Sequence, residues 1–227
     1  DIPTAAYGVF SDVESAKSFI DDTGAPIGVK ADGLAAGKGV VVAMTVDEAH
    51  AAVEDMLSGN RFGEAGHTVV IEEFMVGEEA SLLAFVDGKT VVPMIASQDH
   101  KRIFDGDKGP NTGGMGTYAP APVLTDELRD EAMRTILNPV VKALADEGMP
   151  YVGCLYAGLM ITDEGPKVVE FNARFGDPET QVVLPLLDSD FGEVMMSCAK
   201  CTLQAEEVRW KQSSAACVIL ASKGYPE

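Results

Sequence analysis

The sequence predicts an α+β fold whose sheets are mostly antiparallel and which forms two lobes. Helical and strand-like stretches follow one another at short spacing, and two pairs of apolar runs are joined by short turns. In the first pair the turn is Asp87-Gly88, which is a strong hairpin signal. In the second pair the turn spans residues 162–165. Helices and hairpins that are segregated along the chain favour the α+β class.

The first third of the chain carries clear local signals for two helices. Apolar residues at helical spacing predict a helix over 12–23, and Gly24 after it is typical of a helix C-terminus. Thr45 and Glu48 form a capping-box signature, so a second helix is expected from residue 46 to about residue 57. Short apolar runs predict three strands, at 26–30, 40–44 and 68–74.

The rest of the chain combines hairpins with two longer helices. Periodicity predicts helices over 128–145 and 192–203. Apolar runs predict strands at 80–86, 90–96, 152–161, 167–171 and 215–221. Residues 97–120 show no usable period and contain many Gly, Pro, Asn and Asp, so we predict an irregular loop there. A loop of this length in a compact domain usually carries function.

Composition and charge exclude several classes of protein. Hydrophobic residues make up 46% of the chain, which is ordinary for a globular protein, and 36 acidic residues outnumber 17 basic ones. General nucleic-acid binding needs an excess of Lys and Arg, so it is not expected here. No apolar run is long enough to span a bilayer, and the start has no signal-peptide features. We therefore expect a cytoplasmic protein without nucleic-acid or membrane partners.

The four cysteines are irregularly spaced, which does not resemble a disulfide framework. Cys198 and Cys201 form a single C-x-x-C pair, which would supply only two of the four ligands of a structural zinc site. We interpret them as two small residues on a helix.

A stretch rich in small residues lies between two predicted strands and reads KADGLAAGKG at 30–39. Its glycines would let backbone N–H groups approach phosphate oxygens, and Lys30 and Lys38 would add positive charge. The spacing is neither that of a P-loop nor that of a dinucleotide-binding loop. On the local pattern alone, a phosphate-binding loop and an ordinary glycine-rich turn are about equally favoured.

Carboxylates stand at the ends of two predicted strands. Glu72 and Glu73 end the first one, where they fit either a hinge that faces an adenine or, as the local pattern favours, an ordinary surface strand end. Glu170 and Asn172 end the second strand on a shared face, and their oxygens suit Mg²⁺. Arg174 follows within reach of a transferring phosphoryl group. A polar loop with internal ion pairs is the alternative at this second place.

The predicted loop at 97–120 contains QDHKR at 98–102 and GPNTGGMG at 109–116. The first is the densest basic patch of a very acidic chain, and the second offers backbone N–H groups and short polar side chains. Together they suit a phosphorylated or carboxylated small molecule. His100 could act as a general base, but a lone histidine beside Lys and Arg is more often only a hydrogen-bonding group, so we do not count it as catalytic.

Four motifs occur in order: the two in this loop, KADGLAAGKG before them, and EFNARFGDPETQ at 170–181 after them. Together they resemble the glycinamide ribonucleotide synthetases, a family of ATP-grasp ligases of purine biosynthesis. The resemblance covers essentially the whole chain, and the last two motifs are specific to the family. It implies an ATP-grasp fold, whose two lobes clasp the nucleotide. It also implies a ligase that joins glycine to 5-phosphoribosylamine through glycyl phosphate, with ATP and Mg²⁺ (or Mn²⁺) as cofactors.

The same resemblance implies roles for residues and bounds for domains. Lys38 and Arg174 would be catalytic, and Glu170 and Asn172 would bind the metal. The residues expected to bind ATP are Lys30, Lys38, Glu72, Glu73, Phe74, Met75 and Glu79. The residues expected to bind the other substrates are Asp99, Lys101, Arg102, Asn111, Thr112, Gly113, Gly114, Met115, Arg174, Asp177 and Glu179. The expected domains are a small lobe at 1–75, a large lobe at 76–213, and the start of a C-terminal domain at 214–227.

The chain departs from the family pattern in two ways. Many ATP-grasp enzymes carry a further metal-binding acid on the strand before the Glu-x-Asn strand, and the segment at 153–161 has none. Family members also have additional N-terminal and C-terminal domains, so we expect the isolated chain to be inactive in the complete reaction. Two alternatives remain: another ATP-grasp ligase such as a carboxylase subunit, which would not share 109–116 or 174–181, and a nucleotide-binding module without turnover.

Overall fold

A computed structural model describes residues 2–33, 39–58, 67–106 and 108–226. The chain divides into two compact units. The smaller unit is formed by residues 5–76, and the larger unit by the chain from Gly77 onward together with the N-terminal residues up to Thr4. The predicted bounds of the domains, including a separate domain at 214–227, stay a prediction.

In the smaller unit, two helices pack against a four-stranded antiparallel sheet with the strand order β1-β4-β2-β3. Its elements are β1 (Tyr7–Phe10), α1 (Val13–Thr23), β2 (Ile27–Ala31), β3 (Val40–Ala43), α2 (Val46–Ser58) and β4 (Val69–Glu73). Ile20 and Val53 of the helices and Ile27 and Ile71 of the sheet are fully buried in one core. Apolar periodicity therefore identified α1, the capping box identified α2 and short apolar runs identified three of the strands, whereas β1 was missed.

Local side-chain contacts explain where the two helices begin. The Asp12 carboxylate accepts a hydrogen bond from the Ser15 N–H group at 2.8 Å, which caps α1. At the start of α2, Thr45 Oγ1 accepts from the Glu48 N–H group, while Glu48 Oε2 accepts from the Thr45 N–H group. This confirms the predicted capping box. Gly24 follows α1 with φ at +84°, a conformation that glycine adopts without steric cost.

The larger unit is built on a second four-stranded antiparallel sheet with the order β12-β11-β5-β6. Its strands are β5 (Glu78–Asp87), β6 (Val91–Pro93), β11 (Val152–Thr162) and β12 (Gly165–Asn172). Side chains alternate along each strand, so the sheet has two faces. One face, with Leu82 and Leu159, packs against the helices at 126–146. The other, with Leu83 and Phe85, packs against the later helical segments of the chain.

Those helices differ in part from the predicted ones. The predicted helix at 128–145 is divided into α3 (Asp126–Ala132), a π-helical turn (Met133–Leu137) and α4 (Asn138–Asp146). Pro139 lies in the first turn of α4 and has no N–H group to donate, which is compatible with a wider turn just before it. After β12 come α5 (Thr180–Val183), which the sequence did not predict, and α6 (Phe191–Ala199).

The C-x-x-C pair does not lie wholly on a helix, which corrects our interpretation. Cys198 is buried in α6, whereas Cys201 lies after the helix end, is exposed, and has φ at +56°. The predicted helix at 192–203 was therefore too long. Among the described residues, no helix is both long and apolar enough to cross a membrane.

The prediction of an irregular loop at 97–120 was wrong. This stretch forms four short strands: β7 (Gln98–Asp99), β8 (Arg102–Phe104), β9 (Lys108–Asn111) and β10 (Gly116–Ala119). Strands β8 and β9 form a hairpin, while β10 pairs with β7 and with β13 (Ala215–Val218). Strands of two to four residues are too short to show a period, and β10 finds one of its partners about a hundred residues away.

Asp87 in the predicted Asp-Gly turn has a second role. Its Oδ1 atom accepts hydrogen bonds from the N–H groups of Lys89 and Thr90, which closes the β5–β6 hairpin. Its Oδ2 atom accepts from the N–H group of Leu203 at 3.1 Å, which fastens the segment after α6 to the sheet. Burial alone would raise the pKa of this carboxyl, but the three backbone hydrogen bonds outweigh burial and lower the pKa.

Candidate active site

Three neighbouring strands bring polar side chains together on one face of the larger sheet. Gly158 of β11 lies between Ser81 of β5 and Glu170 of β12, and the next row places Tyr156 beside Asn172. Glu170 and Asn172 share this face, as the alternation along a strand requires. The Asn172 amide donates a hydrogen bond to Glu170 Oε1 at 3.1 Å. The two predicted metal ligands are therefore adjacent.

Gly158 leaves space in front of these side chains. The register between β11 and β12 shifts directly after Gly158, so one extra residue stands in β12 just before Glu170. Such bulges re-aim side chains at the edges of functional sites. A Cβ atom on Gly158 would lie 3.3 Å from Glu170 Cγ and 3.4 Å from a ring carbon of Tyr156. Neither Gly158 nor Tyr156 was singled out from the sequence, because both belong to a strand that otherwise looks like core.

A cavity opens on this face, and Lys101 provides its positive charge. The cavity is lined by Glu79, Asp99, Lys101, Tyr156 and Glu170 together with their strand neighbours. Lys101 Nζ donates to Glu79 Oε2 at 2.9 Å. Burial alone would lower the pKa of Lys101. The negative charges of nearby carboxylates, of which Glu79 has the largest effect, outweigh burial and raise the pKa. Lys101 therefore stays protonated at neutral pH.

Asp99, which lines the same cavity, has a raised pKa. Burial and then the charge of Glu179 raise its pKa to about 6, although His100 donates its N–H group to Asp99 Oδ1 at 2.7 Å. The turn around Gly114 covers it closely, because a Cβ atom there would lie 2.9 Å from Asp99 Oδ1 and 2.4 Å from Pro178 Cδ. Gly114 also has φ at +114°, so the position has two reasons to be glycine.

We expect Asp99→Asn to stabilise the larger unit at neutral pH. The folded-state pKa of about 6 exceeds the unfolded value of roughly 3.9, so the folded chain binds more protons between these values. The contribution of this carboxyl to stability is fully present below about pH 4 and is lost as pH rises through 6. Asparagine cannot ionise, and its oxygen can still accept from the His100 N–H group. The melting temperature, followed by the fluorescence of Trp210, should exceed that of the wild type above pH 6 and converge with it near pH 4.

A variant that is less stable than the wild type at pH 8 would contradict this expectation. Trp210 is suitable as the reporter because it is the only tryptophan of the chain and packs against the core of the larger unit.

Glu179 is buried, with 3% of its surface exposed. Its Oε1 atom lies 3.0 Å from Ser81 Oγ and 2.9 Å from the Tyr156 hydroxyl, and these two hydroxyls are 2.9 Å apart. The three side chains form a hydrogen-bonded network beside the cavity. From the sequence, Glu179 was assigned only through the family motif, and its partners lie 98 and 23 positions away.

Arg174 and Asp177 lie on the exposed part of the turn that follows β12. The Arg174 guanidinium carbon is 5.9 Å from the centre of the Tyr156 ring, and Nη1 donates to the Phe175 carbonyl at 3.0 Å. Asp177 Oδ1 accepts from Gln181 Nε2. Arg174 thus lies near Tyr156, and Tyr156 neighbours Asn172 in the sheet.

The remaining predicted substrate residues belong mainly to the β8–β9 hairpin and the turn after it. Arg102 and Asn111 face each other in the hairpin, and Arg102 Nη1 donates to the Gly109 carbonyl. In the turn, Thr112 Oγ1 and the Thr112 N–H group bind the Lys101 carbonyl. The Gly113 N–H group donates to the Tyr225 hydroxyl, and the Met115 N–H group donates to the His100 carbonyl. Among the described residues of the β8–β9 hairpin, none lines the cavity beside Lys101.

In the smaller unit, the predicted nucleotide residues lie on β2, on β4 and directly after β4. The side chains of Lys30 and Glu72 form an ion pair across these two strands. Glu73 Oε2 accepts from the Ala6 N–H group, and Phe74 is 38% exposed. Met75 is partly buried. Lys38 lies outside the described residues.

The side-chain oxygens of Glu170 and Asn172 in the larger unit fit a hard divalent cation that takes few protein ligands. In the part of the chain that the structure describes, no group of three or more His, Cys, Asp or Glu side chains is arranged to hold a metal. Glu170 and Asn172 offer two adjacent oxygen-bearing groups. Mg²⁺ commonly takes one or two protein ligands and fills its other positions with phosphate oxygens and water. The pair therefore fits Mg²⁺ that is bound together with a nucleotide.

The fold and this Glu-x-Asn pair define the chain as an ATP-grasp domain. Residues 1–180 match the family model described as "Phosphoribosylglycinamide synthetase, ATP-grasp (A) domain". The chain belongs to this family, which confirms the resemblance found in the sequence.

Similar proteins agree with this assignment. The chain is 60% identical over 227 residues to a phosphoribosylamine–glycine ligase of Caulobacter vibrioides, covering 100% of the chain and 53% of that relative. It is 55% identical over 226 residues to the ligase of that name in Escherichia coli K12, covering 99% and 53%. The crystal structure of phosphoribosylamine–glycine ligase from Thermotoga maritima matches with a TM-score of 0.88 and 35% identity, covering 100% of the chain and 57% of that structure. The chain thus spans about half the length of the curated relatives it matches.

Proposed function

We propose that the chain is the ATP-binding part of a ligase that joins glycine to 5-phosphoribosylamine, in de novo purine biosynthesis in the cytoplasm. ATP phosphorylates the carboxylate of glycine to glycyl phosphate, the amine attacks it, and glycinamide ribonucleotide, ADP and phosphate are formed. The observation that carries this proposal is the 60% identity to a phosphoribosylamine–glycine ligase along the whole chain. The geometry supports it, because the cavity combines a candidate cation site with a protonated lysine.

The proposed roles follow from the contacts of each residue. Glu170 and Asn172 would hold Mg²⁺ (or Mn²⁺), which when bound supplies charge neutralisation at phosphate oxygens. Lys101 stays protonated because of its carboxylate neighbours, so it can bind an anionic oxygen of substrate in the cavity. Arg174 would stabilise the transferring phosphoryl group, for which positioning and charge are the main requirements. Glu79 would accept from the ribose hydroxyls, and a carboxylate can do so while it is paired with Lys101.

The smaller unit would contribute the other nucleotide contacts. Lys30 and Lys38 would bind phosphate oxygens, and residues 72–75 would present backbone groups to the adenine. Glu72 pairs with Gly28 in the sheet, so Lys30, two residues later, lies on the same face as Glu72, and the two side chains form an ion pair there. Asp99, the β8–β9 hairpin and the 112–115 turn would bind part of the phosphoribosylamine.

The chain should bind ATP in the presence of Mg²⁺ and activate glycine. Calorimetric titration with Mg²⁺ and ATP tests binding. For activation, ADP release is measured with glycine and hydroxylamine, which intercepts an acyl phosphate and gives glycyl hydroxamate. We expect glycyl hydroxamate when glycine is present. We expect none when bicarbonate replaces glycine or when no phosphoryl acceptor is added. Absence of ATP binding would refute the nucleotide role. Bicarbonate-dependent ADP release would instead indicate a carboxylase-type ligase, and binding without any activation would indicate a module without turnover.

A further inference from the structure

We propose that Tyr156 is a positioning residue that holds Arg174 through its ring, and that the buried Glu179 carboxylate anchors Tyr156 rather than binding substrate. The functional side of this inference rests on the proposed ligase function, in which Arg174 acts on the phosphoryl group. The structural side rests on contacts within the larger unit alone.

Tyr156 is buried, and its hydroxyl has two partners. Only 5% of its surface is exposed, and it stands on the central strand β11 beside Asn172. Its hydroxyl lies 2.9 Å from both Glu179 Oε1 and Ser81 Oγ. Burial and the charge of Glu179 raise the pKa of the hydroxyl above its usual range, so Tyr156 remains a donor. A buried hydroxyl with two partners restrains the plane of its ring.

Glu179 is bound inside the protein by the hydroxyls of Ser81 and Tyr156. Its carboxylate is 3% exposed and is absent from the lining of the cavity. Its Oε1 atom is within hydrogen-bonding distance of both hydroxyls, and each hydroxyl has a single proton to donate. The three groups therefore satisfy one another inside the protein. A carboxylate used in this way is a structural acceptor. Its removal would leave one of the two buried hydroxyl protons without an acceptor, because the hydroxyls can donate only one proton between themselves, and this is costly.

The turn from Arg174 to Glu179 is attached to Tyr156 at two places. Both ends of this turn contact the same residue: the Arg174 guanidinium lies 5.9 Å from the Tyr156 ring centre, and Glu179 binds its hydroxyl. A cation at this distance from an aromatic ring is attracted by its face. The turn is also tight, because a Cβ atom on Gly176 would lie 2.3 Å from Glu179 Oε2. Tyr156 thus restrains an arginine that is otherwise exposed.

The test compares conservative and truncating changes at both positions in the hydroxamate assay. We expect Glu179→Gln, whose amide oxygen still accepts, to keep the rate within a few-fold, and Glu179→Ala to lower kcat. Tyr156→Phe keeps the ring but loses the hydroxyl that Glu179 anchors, so it should lower kcat about as much as Glu179→Ala. Tyr156→Leu removes the ring and should lower kcat by on the order of 10²-fold, as a misplaced group does. The KM for ATP should change little throughout, because the ATP contacts remain. Tyr151→Leu is the matched control, since Tyr151 lies outside the cavity and donates to the Cys154 carbonyl.

A second readout needs no turnover. In the NMR spectrum of the chain, the ring current of Tyr156 should shift the side-chain resonances of Arg174. This shift should persist in Tyr151→Leu, become smaller in Tyr156→Phe, whose ring is no longer anchored, and disappear in Tyr156→Leu. If the wild type forms no hydroxamate, the proposed function fails while this readout still decides the inference.

Two results would overturn the inference. Equal loss of rate in Glu179→Gln and Glu179→Ala would mean that the charge of Glu179 acts on substrate. Arg174 resonances that are unshifted in the wild type would mean that the ring does not hold the arginine. Should Tyr156→Leu fail to fold, the pair of Glu179 variants and the wild-type spectrum are sufficient.

Discussion

Glu170→Ala is expected to weaken Mg²⁺-dependent ATP binding by at least about 100-fold while the fold stays intact. Loss of a supporting residue around a metal already costs 10–100-fold, and here an anionic ligand is removed. Asn172 would remain as a neutral ligand, which is a weak partner for a hard cation. The amide of Asn172 would also lose its acceptor at 3.1 Å. Calorimetric titration of ATP with and without Mg²⁺ measures the effect, which should be confined to the titration with metal.

Two further variants separate ligation from charge. Glu164→Ala removes the same charge from an exposed residue in the turn of the same hairpin, where Glu164 pairs with Lys167, and should leave Mg²⁺-dependent binding unchanged. Glu170→Gln keeps an oxygen but removes the charge, and should fall between wild type and alanine. Wild-type binding in Glu170→Ala, with an unchanged circular dichroism spectrum, would place the metal site elsewhere.

Gly77→Ala is expected to destabilise the larger unit strongly, although Gly77 itself is exposed. A Cβ atom on Gly77 would lie 2.2 Å from the carbonyl oxygen of Ile161 and 2.8 Å from its carbon. Both are backbone atoms of β11, which is held in the ladder with β5 by the pairing of Ile161 with Glu78. A backbone cannot give way as a side chain does, so the ends of the two strands must separate. Overpacking typically costs about 1–3 kcal/mol, and a backbone clash should reach the upper part of that range.

Urea unfolding followed by Trp210 fluorescence measures this loss in the larger unit. A decrease of about 3 kcal/mol should lower the melting temperature by roughly 6–12 °C for a unit of this size. Gly192→Ala is the matched control, because Gly192 is the second residue of helix α6 and a Cβ atom there would lie 3.2 Å from a side-chain oxygen of Asp190 rather than against backbone. Alanine has a higher helix propensity than glycine, so the control should change stability by about 1 kcal/mol or less. Equal stability of Gly77→Ala and wild type would show that the strand ends are not rigid.

The sequence by itself determined the features that depend on neighbouring residues. Helical periodicity and the capping box identified α1 and α2, because both signals lie within one or two turns of the chain. The Asp-Gly turn identified the β5–β6 hairpin for the same reason. The adjacency of Glu170 and Asn172 also followed from the sequence, since alternation along a strand is a property of the backbone itself. Family motifs supplied the function that these local patterns could not.

Only the tertiary structure decided which distant residues meet. Lys101 pairs with Glu79 across 22 positions, and Ser81 meets Glu179 across 98 positions, so no local pattern indicates either contact. The short strands at 98–119 exist because they pair with one another and with β13, and each alone is too short to show a period. The pKa of Asp99 likewise depends on burial and on the charge of Glu179, which another part of the chain provides. Register and burial arise from contacts between remote segments, and for that reason the roles of Tyr156 and Gly158 became visible only in the folded chain.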